Sequence, residues 1–212
     1  VCIAGSHFST AERQYRYPLE LGVLRSPESQ WMATGAGATF LTGEGEMTCG
    51  RKRRVRIKGG SFGRVVDFGI SDVNNMGAAM APAAADTLKK YFRDTKTSPD
   101  SYDLILTGDL GSIGHELVKT LLERENISLG ANYLDCGMMI FDADKQDVHA
   151  GGSGCGCCAS VLAAYVLPQM QAGLYKNVLV AATGALMSPT TNQQGESIPG
   201  IAHAVVLEAP KA

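Results

Sequence analysis

Hydrophobic residues along this chain fall into short continuous runs separated by stretches with helical spacing. The runs YDLILT at 102–107, NVLVAA at 177–182 and AHAVVL at 202–207 are typical of buried strands. Apolar positions recur at helical spacing near 75–94 and 115–125, and again at 157–171, where Pro168 should kink or end the helix. Strands that alternate with helices predict an α/β fold, with a mostly parallel or mixed sheet covered on both faces.

Weaker patterns complete this prediction. The opening run VCIAGS at 1–6 predicts a buried strand, and WMATGAGATFLT at 31–42 predicts a strand kinked by its glycines. The basic run RKRRVRIK at 51–58 predicts a solvated edge strand, with a phosphate or anionic membrane surface as the alternative partner. Residues 62–70 are expected to continue it as a second strand or hairpin arm, and 132–136 to form a short strand.

Composition narrows the class of protein. Of the 212 residues, 45% are hydrophobic and 19% are charged, so the chain can bury a core. The formal net charge of -2 argues against a nucleic-acid partner, because such proteins carry a basic excess. No apolar run reaches the roughly 18 residues of a membrane-spanning helix. The chain opens directly on a strand-like run without an initiator Met, which favours a fragment or a processed chain.

The six cysteines favour reduced thiols rather than a disulfide framework, because their density is low and the predicted core is large. Structural zinc usually uses paired CxxC spacing with a matching second pair, and the cluster at 155–158 does not supply this, so we expect no metal. Buried small side chains are the expected role. The alternative is a nucleophile of low pKa at the helix start, for which Cys155 is the candidate.

Two Gly-rich turns are candidate binding elements. GGSGCGCCAS at 151–160 precedes a helix, whose free amides and dipole favour a carboxylate or phosphate, although the glycines would also allow tight packing. GDLGSIG at 108–114 follows a strand, and its GxxGxxG spacing departs from the dinucleotide fingerprint GxGxxG. Asp109 lies where open α/β sheets place ligand groups, or acts as a turn carboxylate.

Basic side chains supply further candidates. His7 follows the first predicted strand, and His203 lies within the last one, as a core residue or a ligand contact. His115 and His149 are expected at the surface. The pair Arg13 and Arg16 offers donors for a carboxylate, with a loop salt bridge as the alternative.

Several of these segments together carry a family resemblance. VCIAGS, WMATGAGATFLT and YDLILTGDL are similar to strands and turns of ketoacyl synthases and thiolases. HFSTAERQYRYP, MGAAMAPAAADTLKKYF, AGGSGCGCCAS, VLVAATGALMSPTTNQQ and IPGIAHAVVLE resemble the stage V sporulation protein AD family more closely, over nearly the whole chain. This resemblance implies a thiolase-like layered fold with an incomplete N-terminal half. Residues 1–50 would be its remnant, and residues 51–212 the C-terminal half.

The resemblance also implies a function. Members of that family bind dipicolinic acid and belong to the machinery that moves it, with calcium, into the spore and out at germination, at the inner spore membrane. Expected partners are therefore dipicolinic acid, with calcium as its companion ion, and membrane subunits of the same complex. A homodimer through the strand at 31–42 is a further expectation. The expected ligand-binding residues are His7, Gly108, Asp109, Gly152, Ser153 and His203.

Departures from the condensing enzymes argue against catalysis. The chain has no nucleophilic Cys on an elbow before a helix, and Thr107, Gly108 and Asp109 stand where those enzymes place a His. Gly152 and Ser153 stand where they place an Asn. We therefore expect no catalytic residues, no cofactor and no enzyme activity. Two alternatives stay open: an acyl-thioester enzyme whose Cys lies upstream of this sequence, and a structural subunit with a vestigial pocket.

Overall fold

The structure is a computed structural model that describes residues 1–8, 26–43 and 54–209. Its strands and helices alternate from β4 onward, as the hydrophobic runs predict. The strands are β1 Cys2–Ser6, β2 Trp31–Met32, β3 Gly35–Thr39, β4 Arg56–Ser61, β5 Leu104–Thr107, β6 Tyr133–Asp135, β7 Gly152–Ser153, β8 Asn177–Ala185 and β9 Gly200–Glu208. The helices are α1 Met76–Thr95, α2 Gly111–Glu123, α3 Cys136–Met139, α4 Cys155–Val161, α5 Leu167–Ala172 and α6 Pro189–Gln193.

A five-stranded mixed sheet organises the molecule, in the order β4-β9-β8-β5-β6. Strand β5 is parallel to both of its neighbours, β6 and β8. Strand β9 is antiparallel to β8 and to β4. The segments 102–107 and 177–182 therefore contribute adjacent strands of one sheet, and the predicted fold class, an α/β fold with a mixed sheet flanked by helices, is confirmed.

Helices α1 and α2 cover one face of this sheet. Asn75 caps α1 by accepting a hydrogen bond from the amide of Ala78, which fixes the helix start that the sequence predicts. The apolar stripe of α1 packs with Ile105, Leu179 and Ala202 in one core cluster. The two helices approach closely because a Cβ at Gly77 would lie 2.4 Å from the carbonyl oxygen of Leu110.

The opposite face is covered by one continuous helical segment. Helix α4 passes through a π-helical turn at Leu162–Val166 into α5, which ends at Gly173 in the left-handed conformation. Pro168 does not end the helix; instead the hydrogen-bond pattern changes just before it, since proline has no amide to donate. Cys157, Val161 and other apolar residues of this segment form a second core cluster against the sheet.

The antiparallel pair β1–β3 lies on the outer side of α4, so that this helix is sandwiched between two sheets. The contact requires small residues, because a Cβ at Gly37 would lie 2.1 Å from the carbonyl oxygen of Ala159. The segment at 1–6 is a strand, as predicted, but it is not buried: Ile3 is 73% exposed. The segment at 31–42 is divided into β2 and β3.

Three other predictions need correction. Residues 62–70 do not form a strand; only Val66 makes an isolated bridge, to Gly200. The helix expected from His115 begins earlier, at Gly111. Gly111 has a positive φ of 64°, which glycine adopts more easily than other residues. His115 itself is buried rather than at the surface, because its ring stacks on Tyr133. The predicted domain boundary at residue 50 lies outside the described residues and stays a prediction.

Candidate functional site

Polar side chains converge at the carboxyl end of the parallel strands. Thr107 ends β5 and Asp135 ends β6, while Asp109 follows β5 by two residues. The Gly-rich turn that carries Gly152 and Ser153 meets this edge from the helix side. The structure therefore brings together four of the six predicted ligand-binding residues: Gly108, Asp109, Gly152 and Ser153.

The carboxylate of Asp109 is held by donors from two other elements. Its Oδ2 accepts from the amide of Gly154 at 2.8 Å and from the hydroxyl of Ser153 at 3.4 Å. Its Oδ1 accepts from the hydroxyl of Thr183 at 2.9 Å, and the same hydroxyl accepts from the amide of Asp109 at 3.2 Å. Asp109 is only 8% exposed, so this carboxylate ties the turn after β5 to the Gly-rich turn and to β8.

Close contact with β8 explains why the residue before Asp109 is a glycine. A Cβ at Gly108 would lie 2.6 Å from Oγ1 of Thr183 and 2.9 Å from its amide nitrogen. Any larger residue would push β8 away from the turn and break the two hydrogen bonds between Thr183 and Asp109. Gly108 is thus a packing requirement of this site.

Two of the amides that were expected to hold a ligand carboxylate already have partners inside the chain. The amide of Gly154 donates to Asp109, and the amide of Gly156 donates to Oγ of Ser6 at 3.0 Å. The side chain of Ser153 is 4% exposed. Asp109 therefore acts as the turn carboxylate of the alternative interpretation and occupies the anion position at this helix start.

Gln30 is a site residue that the sequence did not reveal. Its Nε2 donates to the carbonyl oxygen of Asp109 at 2.8 Å and to that of Gly152 at 2.7 Å. It is 5% exposed, so it joins the two turns from within the protein. Gln30 lies in an irregular polar stretch, and no local pattern distinguishes it from its neighbours.

Asp135 was also missed, although its position at the end of a strand at the same edge of the sheet was a usable signal. It is fully buried, and four donors surround it. Its Oδ2 accepts from the hydroxyl of Thr107 and the amide of Leu110, at 2.7 and 2.9 Å. Its Oδ1 accepts from the amides of Gly111 and Gly137, at 2.9 and 2.8 Å. Asp135 thus fixes the starts of α2 and α3.

Burial governs the protonation of this second carboxyl group. Removal from water raises the pKa of Asp135 to about 6, while the hydrogen bonds from Thr107, Leu110 and Gly111 act in the opposite direction. The nearby charge of Asp109 raises the pKa further. The edge of the sheet therefore carries two acidic groups whose hydrogen bonds are made within the protein.

The two predicted histidines lie at the margin of this edge. His7 is exposed and directly follows Ser6, which contacts the start of α4. His203 is exposed on β9, opposite Ala182 of β8 and therefore one residue in register from Thr183. Its Nδ1 accepts from the amide of Gly63 at 3.1 Å, and its ring contacts Phe62 edge-on. The alternative that His203 is a buried core residue is wrong.

The cysteines are divided between the core and the surface. Cys157 is fully buried, and burial raises the pKa of its thiol. Cys155 is exposed and directs its thiol to the carbonyl oxygen of Gly5, 2.9 Å away. Within the described ranges, no group of three or more His, Cys, Asp and Glu side chains is arranged to hold a metal ion. Arg13 and Arg16 lie outside those ranges.

None of the helices in the part of the chain that the structure describes is both long and apolar enough to cross a bilayer. The basic run at 51–58 is described only from Arg54, and β4, which contains its end, is an edge strand of the sheet.

Comparison with known proteins gives the family. The model of the stage V sporulation protein AD family matches residues 1–208. Stage V sporulation protein AD of Bacillus subtilis (strain 168) is 46% identical over 203 residues, which cover 96% of this chain and 58% of the relative. The chain thus spans less than two thirds of the length of this curated relative.

A solved structure offers a more distant comparison. AbyA1, a tetronic acid condensing enzyme, is 14% identical, with a TM-score of 0.37. The match covers 74% of this chain and 44% of AbyA1.

Proposed function

Because this chain belongs to the stage V sporulation protein AD family, we propose that it is part of a non-catalytic subunit that binds dipicolinic acid. The subunit acts in the spore machinery that takes up and releases dipicolinate with calcium. It associates with the membrane subunits of that machinery at the inner spore membrane, and it forms a homodimer.

The observation that carries the proposal is that the carboxylate of Asp109 is hydrogen-bonded within the protein. A general base needs an acceptor that faces the substrate, whereas both carboxylate oxygens of Asp109 accept hydrogen bonds from Thr183, Ser153 and Gly154. Cys157 on α4 is buried, and burial and the nearby charge of Asp109 raise the pKa of its thiol, which disfavours the nucleophilic thiolate. These residues do not supply the base and the thiolate that acyl transfer needs, which supports a non-catalytic role.

We propose a ligand position beside this turn. Since the amide of Gly154 is engaged by Asp109, the proposed ligand lies over the exposed Ala182 and next to His203, with His7 as a second candidate contact. Strand spacing puts His203 on the second strand from β5, roughly 10 Å from Gly108. We propose that the imidazole of His203 donates to one carboxylate of the planar pyridine ligand and that the imidazole of His7 donates to the other.

The acidic groups of the site favour one form of the ligand. Asp109 and Asp135 lie close enough for the charge of one to raise the pKa of the other. A bare dicarboxylate is repelled by this edge, whereas its calcium complex carries no net negative charge. We therefore propose that the complex binds more tightly than free dipicolinate.

Calorimetric titration with dipicolinate, with and without calcium, tests this function. His203→Ala and His7→Ala should each weaken binding by about 10-fold or more, because a hydrogen bond to a charged group contributes about 1.5–3 kcal/mol. Lys145→Ala, which removes an exposed cation paired with Asp142, is the matched control and should bind like the parent. The titration is repeated with the full-length family protein, because this chain spans 58% of its relative.

Two results would contradict the proposal. Intact-mass detection of an acyl adduct on Cys155 or Cys157 after incubation with an acyl thioester would favour the enzyme alternative. A folded full-length protein that binds no dipicolinate in either arm would favour the structural subunit.

A further inference from the structure

Residues 54–68, the basic edge segment, form one outer edge of the large sheet. They run antiparallel to β9, from the pairing of Arg56 with Glu208 to the two hydrogen bonds, each 2.8 Å long, that Val66 exchanges with Gly200. Strand β4 within this segment is at the end of the strand order. No further strand of the described chain therefore pairs with the outer side of β4.

The basic edge segment exposes large apolar side chains. Four of them are more than half exposed: Ile57, Phe62, Val65 and Phe68. The segment is fastened to the body of the protein, because Arg64 donates two hydrogen bonds of 3.0 Å to the carboxylate of Asp86 on α1, which also matches its charge. Apolar side chains on a fastened, outer edge indicate a partner with an apolar surface.

The same segment concentrates positive charge. It contains four cationic residues and one acidic residue, Asp67, and it directly follows the cationic residues 51–53, although the whole chain has a net charge of -2. Lys58 forms an exposed ion pair of 3.3 Å with Glu208, and an exposed pair of this kind contributes little free energy. The charge of the chain is therefore divided, and its basic part coincides with the exposed apolar side chains.

We propose that the basic edge segment binds the surface of a bilayer that contains anionic phospholipid. Apolar side chains beside Lys and Arg are typical of proteins that lie on a membrane, because the apolar groups enter the headgroup boundary while the cations attract the lipid phosphates. A single-stranded nucleic acid stacks on aromatic rings and does not account for the aliphatic Ile57 and Val65. Symmetric pairing with a second copy would bring two basic segments together, which is unfavourable.

Contact with lipid would bring the candidate site to the membrane surface. The amide of Gly63 donates to Nδ1 of His203 at 3.1 Å, and the ring of Phe62 meets the imidazole edge-on. The basic edge segment thus positions the histidine that is proposed to hold the ligand. In this respect the inference rests on the proposed function, because it places the uptake and release of dipicolinate beside the bilayer.

Co-sedimentation of the folded 212-residue chain with lipid vesicles, in the absence of dipicolinate, tests the inference. We expect binding to vesicles that contain phosphatidylglycerol and phosphatidylcholine in equal amounts. Binding to phosphatidylcholine alone should be about 10-fold weaker or less, because the attraction to anionic lipid is lost. Raising the salt concentration from about 0.05 M to about 0.5 M should release the protein from the anionic vesicles, because salt screens exposed charges.

Two double variants separate the apolar and the charged contribution. Val65→Ser with Phe68→Ser should weaken binding to the anionic vesicles by about 10-fold or more, because two apolar side chains no longer enter the bilayer. Arg56→Gln with Lys58→Gln should weaken it by a similar factor, since each cation near an anionic leaflet contributes about fivefold.

The matched controls remove exposed side chains of the same kinds from other elements. Ile3→Ser with Leu174→Ser removes two exposed apolar side chains, and Arg93→Gln with Lys145→Gln removes two exposed cations. Both controls should bind the vesicles like the parent. Circular dichroism shows whether each variant is folded, and the comparison of lipids and salt concentrations on the parent is independent of any variant.

Several results would overturn the inference. These are no binding of the parent to anionic vesicles, equal binding to both kinds of vesicle, and equal losses in the edge variants and their controls. Binding of a single-stranded oligonucleotide as tight as that of the vesicles would assign the segment to nucleic acid. A dimer that Val65→Ser with Phe68→Ser dissociates, without vesicle binding by the parent, would assign it to a second copy.

The lipid test and the ligand test fail separately. The vesicles are used without dipicolinate, and the calorimetric titration contains no lipid. Val65→Ser with Phe68→Ser should bind dipicolinate like the parent, because neither side chain belongs to the candidate site. A chain that binds dipicolinate but no vesicles would overturn this inference alone, and the reverse result would overturn the proposed ligand alone.

Discussion

At the scale of single residues, two buried carboxylates hold the candidate site together, and each joins a different set of segments. Asp109 joins three segments through its side chain and backbone. Asp135 joins the ends of β5 and β6 to the starts of two helices. Removing either acceptor would leave buried amides or hydroxyls without a partner, at a cost of about 1–3 kcal/mol for each group.

Asp135 predicts a pH dependence of stability. Its pKa of about 6 in the folded protein lies above the ordinary value of about 3.9, so the folded state binds the proton more tightly than the unfolded state. Its contribution to the free energy of unfolding is therefore complete below pH ~4 and is lost as pH rises through about 6, by about 3 kcal/mol at most. Urea unfolding of the parent between these limits measures the loss.

The matched variant is Asp135→Asn, with the exposed Asp144→Asn as control. Asp135→Asn should be less stable at every pH, because its amide nitrogen faces backbone donors, but its stability should change less between pH 4 and 6. The difference between the parent and this variant removes the opposing effects of Asp86 and Glu116, whose pKa values are lowered. Equal slopes for parent and variant would show that Asp135 does not titrate in this range.

At the scale of elements, the sequence predicts best where one physical cause dominates. The continuous apolar runs of β5 and β8 and the capped amphipathic helix α1 agree with the structure, because burial on both faces or on one stripe leaves a clear period. The stretch 62–70 has apolar residues but no such constraint: Phe62 is 95% exposed, and only Val66 bridges to β9. Apolar residues alone therefore do not make this stretch a strand.

The same distinction separates the residues of the candidate site that the sequence predicts from those that it does not. Gly108 and Gly152 were predictable because ends of parallel strands and Gly-rich turns meet at one edge. Thr183 and Gln30 were not, because their hydrogen bonds to Asp109 depend on the register of β8 and on the path of a distant loop. Local sequence does not determine either of these. The exposure of β1 was also unpredictable, since an apolar run does not show which layer will lie over it.

The packing of β3 on α4 gives a prediction at this scale. Gly37→Ala should destabilise the protein by about 1–3 kcal/mol, because the new Cβ would overlap the backbone carbonyl of Ala159 and separate the two elements. Gly59→Ala is the control, since a Cβ there has no heavy atom within 4 Å. Urea unfolding compares the two variants. A Gly37→Ala protein as stable as the control would mean that the contact between β3 and α4 is looser than described.

At the scale of the whole molecule, large apolar side chains are exposed at two places in the described chain. The outer face of the β1–β3 pair presents Ile3 at 73% exposure, with Ala38 opposite it. On the side of the large sheet that α4 and α5 share, His203 and Phe62 are exposed near the edge. Antiparallel sheets normally alternate apolar and polar faces. Ile3 and Phe62 therefore mark two patches of exposed apolar surface.

These two patches should make the 212-residue chain self-associate. We expect sedimentation to show species larger than the monomer at micromolar concentration, and a hydrophobic dye to increase in fluorescence on the folded protein.

Ile3→Lys combined with Phe62→Lys should reduce both signals with little effect on stability, because a charge at either exposed position loses no buried contact and opposes association. Leu174→Lys is the control: Leu174 is 69% exposed but follows α5 and belongs to neither patch, so it should change neither signal. If the parent chain sediments as a monomer and does not increase the fluorescence of the dye, the two apolar patches are too small to cause association. If Leu174→Lys reduces both signals equally, net charge rather than the two apolar patches controls association.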